Sequence, residues 1–148
     1  MSARRTTVNR SARTTLLYGL NLFLGLTAVA GGAALLAGLI KVPLSALVGS
    51  PFTDFTVPAI LLAAIIGGTS LLAAWLVHLR LSLGSQVSAV AGGAIIIFEI
   101  VEWNIIGFAW LQAVYIVIGA AILGLAAWTQ MEQFLDSVSR QQPERLAH

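Results

Sequence analysis

Two carboxylic acids lie within the third of four long apolar runs, in the segment Glu99-Ile100-Val101-Glu102-Trp103-Asn104. An acid inside a membrane span costs about 3 kcal/mol on insertion scales, so it is a candidate functional residue. With a helix start near Gln86 and a rise of about 1.5 Å per residue, Glu99 should lie in the outer third of the hydrocarbon layer. Glu102 should lie one turn further out. Such a pair could bind a proton, a cation or a small polar ligand that enters from outside.

Three arrangements of these acids are physically allowed: one carboxyl stays protonated, a cation pairs with them, or water reaches them from the outer face. Glu99 shares a helix face with small residues, so we expect it to point into the bundle and to be the more desolvated acid. The alternative to a binding site is a buried Lys–Glu and Glu–Asn network that fixes helix register, with Glu102 extending to water. The candidate outer-side polar or proton site comprises Glu99, Glu102, Lys41, Asp54, Asn104 and Gln112.

The composition excludes several kinds of chemistry. The chain of 148 residues is 58% hydrophobic and 9% charged, whereas an ordinary soluble domain is about 25% charged. It has no cysteine, which excludes disulfides, thiolate zinc sites and iron–sulfur clusters. Its two histidines, His78 and His148, are too few for a multi-histidine metal site. We therefore expect no cofactor, metal, catalytic residue or nucleic-acid partner. The expected partners are membrane lipids, together with a second copy of the chain or a larger membrane complex.

The apolar runs predict an all-α polytopic membrane protein with four transmembrane helices, because a bilayer core needs about 20 apolar residues in a helix. Strands are excluded, since four strands cannot close a barrel in lipid. The first run continues to Ile40, which favours a retained anchor over a cleaved signal peptide. A terminal tail that begins as a helix and then frays is expected at 132–148. The other predicted segments are a basic tail at 1–14, helices at about 15–40, 57–79, 86–107 and 109–131, and an outer loop at 42–56.

The basic residues predict the orientation. Lys41 lies alone between the first two runs, and the other seven basic residues fall in the two tails and the loop between helices 2 and 3. Loops rich in lysine and arginine stay on the cytoplasmic side. Both termini are therefore expected in the cytoplasm, and the 42–56 loop outside a bacterial inner membrane.

Small residues recur at helical spacing in every run. In lipid, helices associate through close packing of such residues, because the tails are as apolar as leucine. A small-residue stripe in each helix indicates a tightly packed bundle rather than a dedicated dimer face. The predicted packing positions are Ala34, Gly38, Gly67, Gly68, Gly92, Gly93 and Gly124.

Several short motifs carry a resemblance. These are Gly49-Ser50-Pro51-Phe52, Pro58, Gly67-Gly68, Glu102, Ile105-Ile106-Gly107, Trp110-Leu111-Gln112 and Tyr115. The pattern resembles a group of small, uncharacterised bacterial membrane proteins with four predicted helices. The resemblance covers helices 2 to 4 and the outer loop, and it implies a four-helix fold without an activity. It matches the helix-3 acid of that group to Glu102, whereas the Glu99 position is usually apolar there.

Three functional hypotheses follow. The first is a non-catalytic integral membrane protein that acts as a structural or accessory partner, favoured by the short tails. The second is a small proton- or cation-coupled transporter that uses Glu99 and Glu102. The third is a lipid-modifying membrane enzyme with the glutamates as acid and base, which lacks a histidine at the same depth.

Overall fold

The computed structural model describes the backbone of residues 2–145 and the side chains of residues 11–139. The part described is all-helical. Its four long helices are α1 (Ser2–Leu36), α2 (Thr56–His78), α3 (Leu83–Ile106) and α4 (Trp110–Arg145). Each contains a stretch long and apolar enough to cross a membrane, so the fold is that of a multi-pass membrane protein. Within the predicted tail at 132–148, which was expected to begin as a helix and then fray, the helix continues as far as Arg145, and residues 146–148 lie outside the described residues.

The structure moves several predicted boundaries. Helix α1 ends at Leu36 instead of Ile40, because Gly38 adopts a φ of 69°. There the Leu39 amide donates to the Ala34 carbonyl at 2.9 Å, and the Gly38 amide donates to Leu35. This pair of bonds is the Schellman motif, which ends a helix at a left-handed residue.

Helices α1 and α4 are both longer than predicted, α1 at its start and α4 at its end. Helix α1 begins at Ser2, within the predicted basic tail. Helix α4 continues through Pro143 to Arg145, so it includes most of the tail that was predicted at 132–148. A proline removes a single backbone donor from the helix. The Arg13 guanidinium also lies over the Trp128 ring and bonds the Glu132 carboxylate at 2.6 Å, which joins the two helices.

Each helix packs against its neighbours in sequence, and α1 also contacts α4. The start of α1 and the end of α4 lie together, and we call this the termini end. The opposite end, the loop end, carries the connection from Ala37 to Phe55. That connection contains one 3-10 turn, Leu44–Leu47, with Leu47 buried against the bundle.

Glycines allow the closest helix crossings. A Cβ at Gly67 would lie 2.6 Å from Val29 of α1, and one at Gly92 would lie 2.8 Å from the Gly119 carbonyl oxygen of α4. Close crossings also occur at four glycines that were not among the predicted packing positions: Gly25, Gly32, Gly84 and Gly119.

The other predicted packing positions do not lie at a close crossing. Ala34 is half-buried, and Gly38 lies beyond the end of α1. Gly68 and Gly93 each follow a crossing glycine and are turned about 100° away from it. An added Cβ would meet no atom within 4 Å at Gly38, Gly68, Gly93 or Gly124.

Helices α2 and α3 separate toward the loop end. At the termini end Gly84 packs against the backbone of Leu76 and Val77. The loop-end part of α2 includes a π-helical segment, Leu61–Gly67, which makes few contacts with α3. The result is a space between the two helices at the loop end.

Candidate functional site

The structure brings three of the six candidate residues together at the loop end. Glu99 is 4% exposed and Gln112 is 3% exposed, while Glu102 is half-buried. The carboxyl groups of Glu99 and Glu102 lie close enough to share a hydrogen bond when one of them carries a proton, and Gln112 also lies near Glu102. The Glu99 Oε2 atom has no hydrogen-bond partner among the described residues. The cluster therefore contains a buried carboxyl oxygen that makes no hydrogen bond to the described residues.

Gln112 is positioned by its role at the start of α4. Its Oε1 atom accepts a hydrogen bond from the Ala109 amide at 2.9 Å. This is the third-residue half of a capping box, in which a glutamine side chain reaches back to the amide that precedes the helix. Its Nε2 atom is buried without a hydrogen-bond partner in the described structure. The cap thus fixes the Gln112 amide beside Glu102.

The other three candidate residues lie apart from this cluster. Lys41 is exposed and forms no ion pair with any side chain that the structure describes. Asn104 is exposed, and its amide donates to the carbonyl of Ile100 on its own helix at 2.7 Å. Helices α1 and α3 lie across the bundle from each other, and Lys41 lies in the connection that follows α1, where it forms no ion pair with Glu102.

Asp54 is likewise exposed and serves the start of α2. Its Oδ1 atom accepts a hydrogen bond from the Thr56 amide at 2.8 Å. This bond to the backbone of Thr56 lowers the pKa of Asp54, because it favours the charged carboxylate. The role of Asp54 is therefore local, in the first turn of a helix.

Glu102 lines a groove of about 430 Å³ between α2, α3 and the connection from α1 to α2. We call this the loop-end groove; it is the space left where α2 and α3 separate. Among the described residues that line it, Glu102 is the only one that can carry a charge, and the others are apolar. They include Leu35, Leu47, Phe52, Phe55, Ile66, Phe98 and Ile106.

The loop-end groove is open on its side. Ile65 of α2 and Ile97 of α3 line it, and they are 51% and 65% exposed. Exposed isoleucines on two membrane-crossing helices face lipid, so the groove opens between α2 and α3 toward the acyl chains. Leu47, Phe52 and Phe55 of the connection between α1 and α2 also line it.

The π-helical segment shapes this groove. Leu61, Leu62, Ile65 and Ile66 all belong to it and all line the groove. A π segment takes an extra residue per turn and changes the direction of the following side chains, and such segments occur frequently at functional sites. Nothing in the run Leu61–Gly67 distinguishes it from α-helix by composition, so sequence reasoning could not have found it.

Searches of protein-family models, curated proteins and solved structures found no match to this chain. The inference of function therefore rests on the geometry of the site.

Proposed function

We propose that this protein is a non-catalytic membrane protein that binds an amphiphilic cation in the loop-end groove. The observation that carries the proposal is a lipid-facing apolar groove whose only ionisable lining residue is Glu102. The apolar walls suit a hydrocarbon chain, and the carboxylate suits a positively charged head group.

The charge of the head group follows from the surroundings of Glu102. No basic side chain among residues 11–139 pairs with it. A desolvated carboxylate without a cation is costly, and a charge-assisted bond to an ammonium group offsets that cost. A ligand with an anionic head would place two like charges together at low dielectric.

Glu99 allows the site to hold a proton in place of the ligand. Its carboxyl lies behind that of Glu102 and is nearly inaccessible. Two neighbouring carboxyl groups can hold either a shared proton or the charge of a bound cation. Proton and ligand then compete, which is the basis of proton-coupled transport, and we expect ligand binding to weaken as the pH falls.

We propose further that both termini are cytoplasmic and that the membrane is a bacterial inner membrane. The seven-to-one division of basic residues between the two ends supports this orientation. It places the loop-end groove in the outer leaflet, so the ligand would enter from the outer half of the bilayer.

A binding experiment in nanodiscs of phosphatidylcholine tests the proposal. The probe is dodecylammonium, with dodecyl sulfate as its anionic counterpart and protein-free nanodiscs as the reference for partitioning. The variant is Glu102→Gln, and the matched control is Asp54→Asn, which removes an exposed carboxylate from the same end. We expect saturable binding of dodecylammonium and a Kd at least about tenfold higher in Glu102→Gln, since a bond to a charged group contributes about 1.5–3 kcal/mol.

Three outcomes would contradict the proposal. The first is equal affinity in the wild type and Glu102→Gln. The second is an equal loss in Asp54→Asn, which would indicate a general surface charge effect. The third is tighter binding of dodecyl sulfate than of dodecylammonium.

A second candidate function, that of an accessory subunit, is supported by the part of α4 at the termini end. Met131, Phe134, Leu135 and Val138 recur at helical spacing and are 47–64% exposed. Helix α4 has 36 residues, whereas about 20 cross a bilayer, so this stripe extends toward the aqueous boundary. Replacement of Phe134 and Leu135 by serine should abolish a defined larger complex in the detergent-extracted mass. A monomeric mass for the wild type would contradict this role.

A further inference from the structure

A second cavity lies at the termini end, at the opposite end from the acids. Its volume is about 390 Å³, and it lies between the start of α1, the turn joining α2 to α3, and the distal part of α4. Its floor is formed by Leu17 and Val77. We call it the termini-end vestibule. Its polar side chains belong to Arg80, Ser11, Thr14, Thr15, Ser85, Thr129 and Gln133, and none of the described residues that line it is acidic.

The vestibule contains more hydrogen-bond donors than the described residues around it use. Thr15 and Thr129 donate to carbonyls of their own helices at 3.0 and 2.8 Å. Arg80, Ser11 and Gln133, in contrast, make no side-chain hydrogen bond to any residue that the structure describes. A guanidinium, a hydroxyl and an amide thus remain as donors around one cavity.

Arg80 occupies an unusual backbone position. Its φ is 56°, in the left-handed region. The Leu81 amide donates to the Leu76 carbonyl at 3.1 Å and the Arg80 amide donates to Val77 at 3.0 Å, which is the Schellman pattern at the end of α2. Glycine is the usual residue at this position because it adopts a positive φ without steric cost. At this position the chain has Arg80 instead, and its cationic side chain lines the termini-end vestibule.

We propose that the termini-end vestibule binds a phosphate group through Arg80. A guanidinium fits two phosphate oxygens at once, and the Ser11 hydroxyl and Gln133 amide supply further donors. This site is independent of the loop-end groove and of its ligand. It adds an anion site at the other membrane boundary.

The surroundings place this site at the depth of lipid head groups. Trp75 and Trp128 lie near the same end of the bundle and are 61% and 57% exposed. Exposed tryptophans of membrane helices lie at the level of the head groups. The phosphate could therefore come from an anionic phospholipid or from a free phosphate compound, and the experiment separates the two.

The experiment is native mass spectrometry of the full chain in detergent, titrated with phosphatidylglycerol. Arg80→Gly removes the guanidinium and relieves the backbone, so we expect an unchanged or higher melting temperature together with at least a tenfold higher Kd. Arg80→Lys keeps the charge and should bind with intermediate affinity. Lys41→Gly is the control, because it removes one positive charge at the other end and should bind as the wild type does.

Two competitors identify the source of the phosphate. If inorganic phosphate at millimolar concentration leaves phosphatidylglycerol bound, the ligand is the lipid; if it displaces the lipid, the ligand is a free phosphate. Oleate, an anionic amphiphile without phosphate, should not compete in either case. The proposal is overturned if Arg80→Gly binds phosphatidylglycerol as tightly as the wild type, if Lys41→Gly loses binding equally, or if oleate displaces the lipid.

Discussion

Asn21 is fully buried at the centre of the bundle, and its side chain connects two helices that otherwise barely meet. Its Nδ2 atom donates to the Leu17 carbonyl at 2.9 Å and to the Ser88 hydroxyl oxygen at 3.1 Å. Ser88 in turn donates to the Gly84 carbonyl at 2.7 Å. A single asparagine inside an apolar run indicates a hydrogen bond to a neighbouring helix. The sequence could not show that the partner lies across the bundle, because the choice depends on how the glycine crossings rotate α1.

This interhelical bond should have a measurable coupling energy. We expect a double-mutant cycle with Asn21→Ala and Ser88→Ala to give a coupling of about 0.6 kcal/mol, the average for such bonds in a membrane protein, whose maximum is about 1.7 kcal/mol. Stability is measured by unfolding in mixed micelles. The pair Asn21→Ala and Ser139→Ala, in which the two residues do not touch, should show no coupling. A coupling of zero for the first pair would contradict the assigned contact.

The cap at Asp54 predicts a dependence of stability on pH. The folded pKa of Asp54 is below its ordinary value, so its carboxylate stabilises the fold above the unfolded pKa, and this contribution is lost as the pH falls through the folded pKa. Asp54→Ala should therefore lower the melting temperature slightly at pH 7. At a pH below the folded pKa the variant and wild type should melt together. A difference that persists at low pH would mean that the aspartate acts through something other than its charge.

At the scale of the elements, helix positions were readable from apolar length, whereas helix contacts were not. Helix α2 begins and ends within a residue of its predicted bounds, since charge and proline mark both ends. The face with which each helix contacts its neighbour was harder to predict, because the sequence does not distinguish between two adjacent glycines such as Gly92 and Gly93. Gly92 meets α4 and Gly93 does not, and the difference is fixed by helix rotation. The groove was also hidden, since it arises where α2 and α3 fail to touch.

Adjacent glycines provide a matched test of this packing. Gly92→Ala and Gly93→Ala make the same change in helix propensity, which alone favours alanine by about 1 kcal/mol. At Gly92 the added methyl group would lie 2.8 Å from the Gly119 carbonyl oxygen, and backbone cannot move aside cheaply. We expect Gly92→Ala to be less stable than Gly93→Ala by about 1–3 kcal/mol. Equal unfolding free energies of the two variants in detergent would contradict the α3–α4 crossing.

At the scale of the whole molecule, the two ends of the bundle differ in chemistry. The termini end has arginines and a cavity lined by donors. The loop end has the two acids and an apolar groove open to lipid. The sequence predicted an outer polar cluster that includes Lys41, but α1 ends at Leu36 and leaves that lysine exposed. Glu99 and Glu102 therefore pair with no basic side chain among residues 11–139, and this lack of a cation favours a cationic ligand.

The orientation of the bundle can be tested with single cysteines, because the chain contains none. Ser45 of the outer loop and Ser139 of α4 are both exposed. A membrane-impermeant maleimide should label Ser45→Cys in right-side-out vesicles, where the outer face is accessible. It should label Ser139→Cys in inverted vesicles, where the cytoplasmic face is accessible. Labelling of Ser45→Cys only in inverted vesicles would reverse the orientation and move the groove to the inner leaflet.

Ligand protection of a cysteine placed in the loop-end groove tests the central claim most directly. Ile97→Cys lies in the groove, and Val117→Cys is a similarly exposed lipid-facing control on α4. Dodecylammonium should slow alkylation of Ile97→Cys by N-ethylmaleimide in a saturable manner and leave Val117→Cys unaffected. Addition of Glu102→Gln to the Ile97→Cys variant should remove most of this protection. Equal protection at both positions, or full protection without the Glu102 carboxylate, would contradict a groove that binds an amphiphilic cation through that acid.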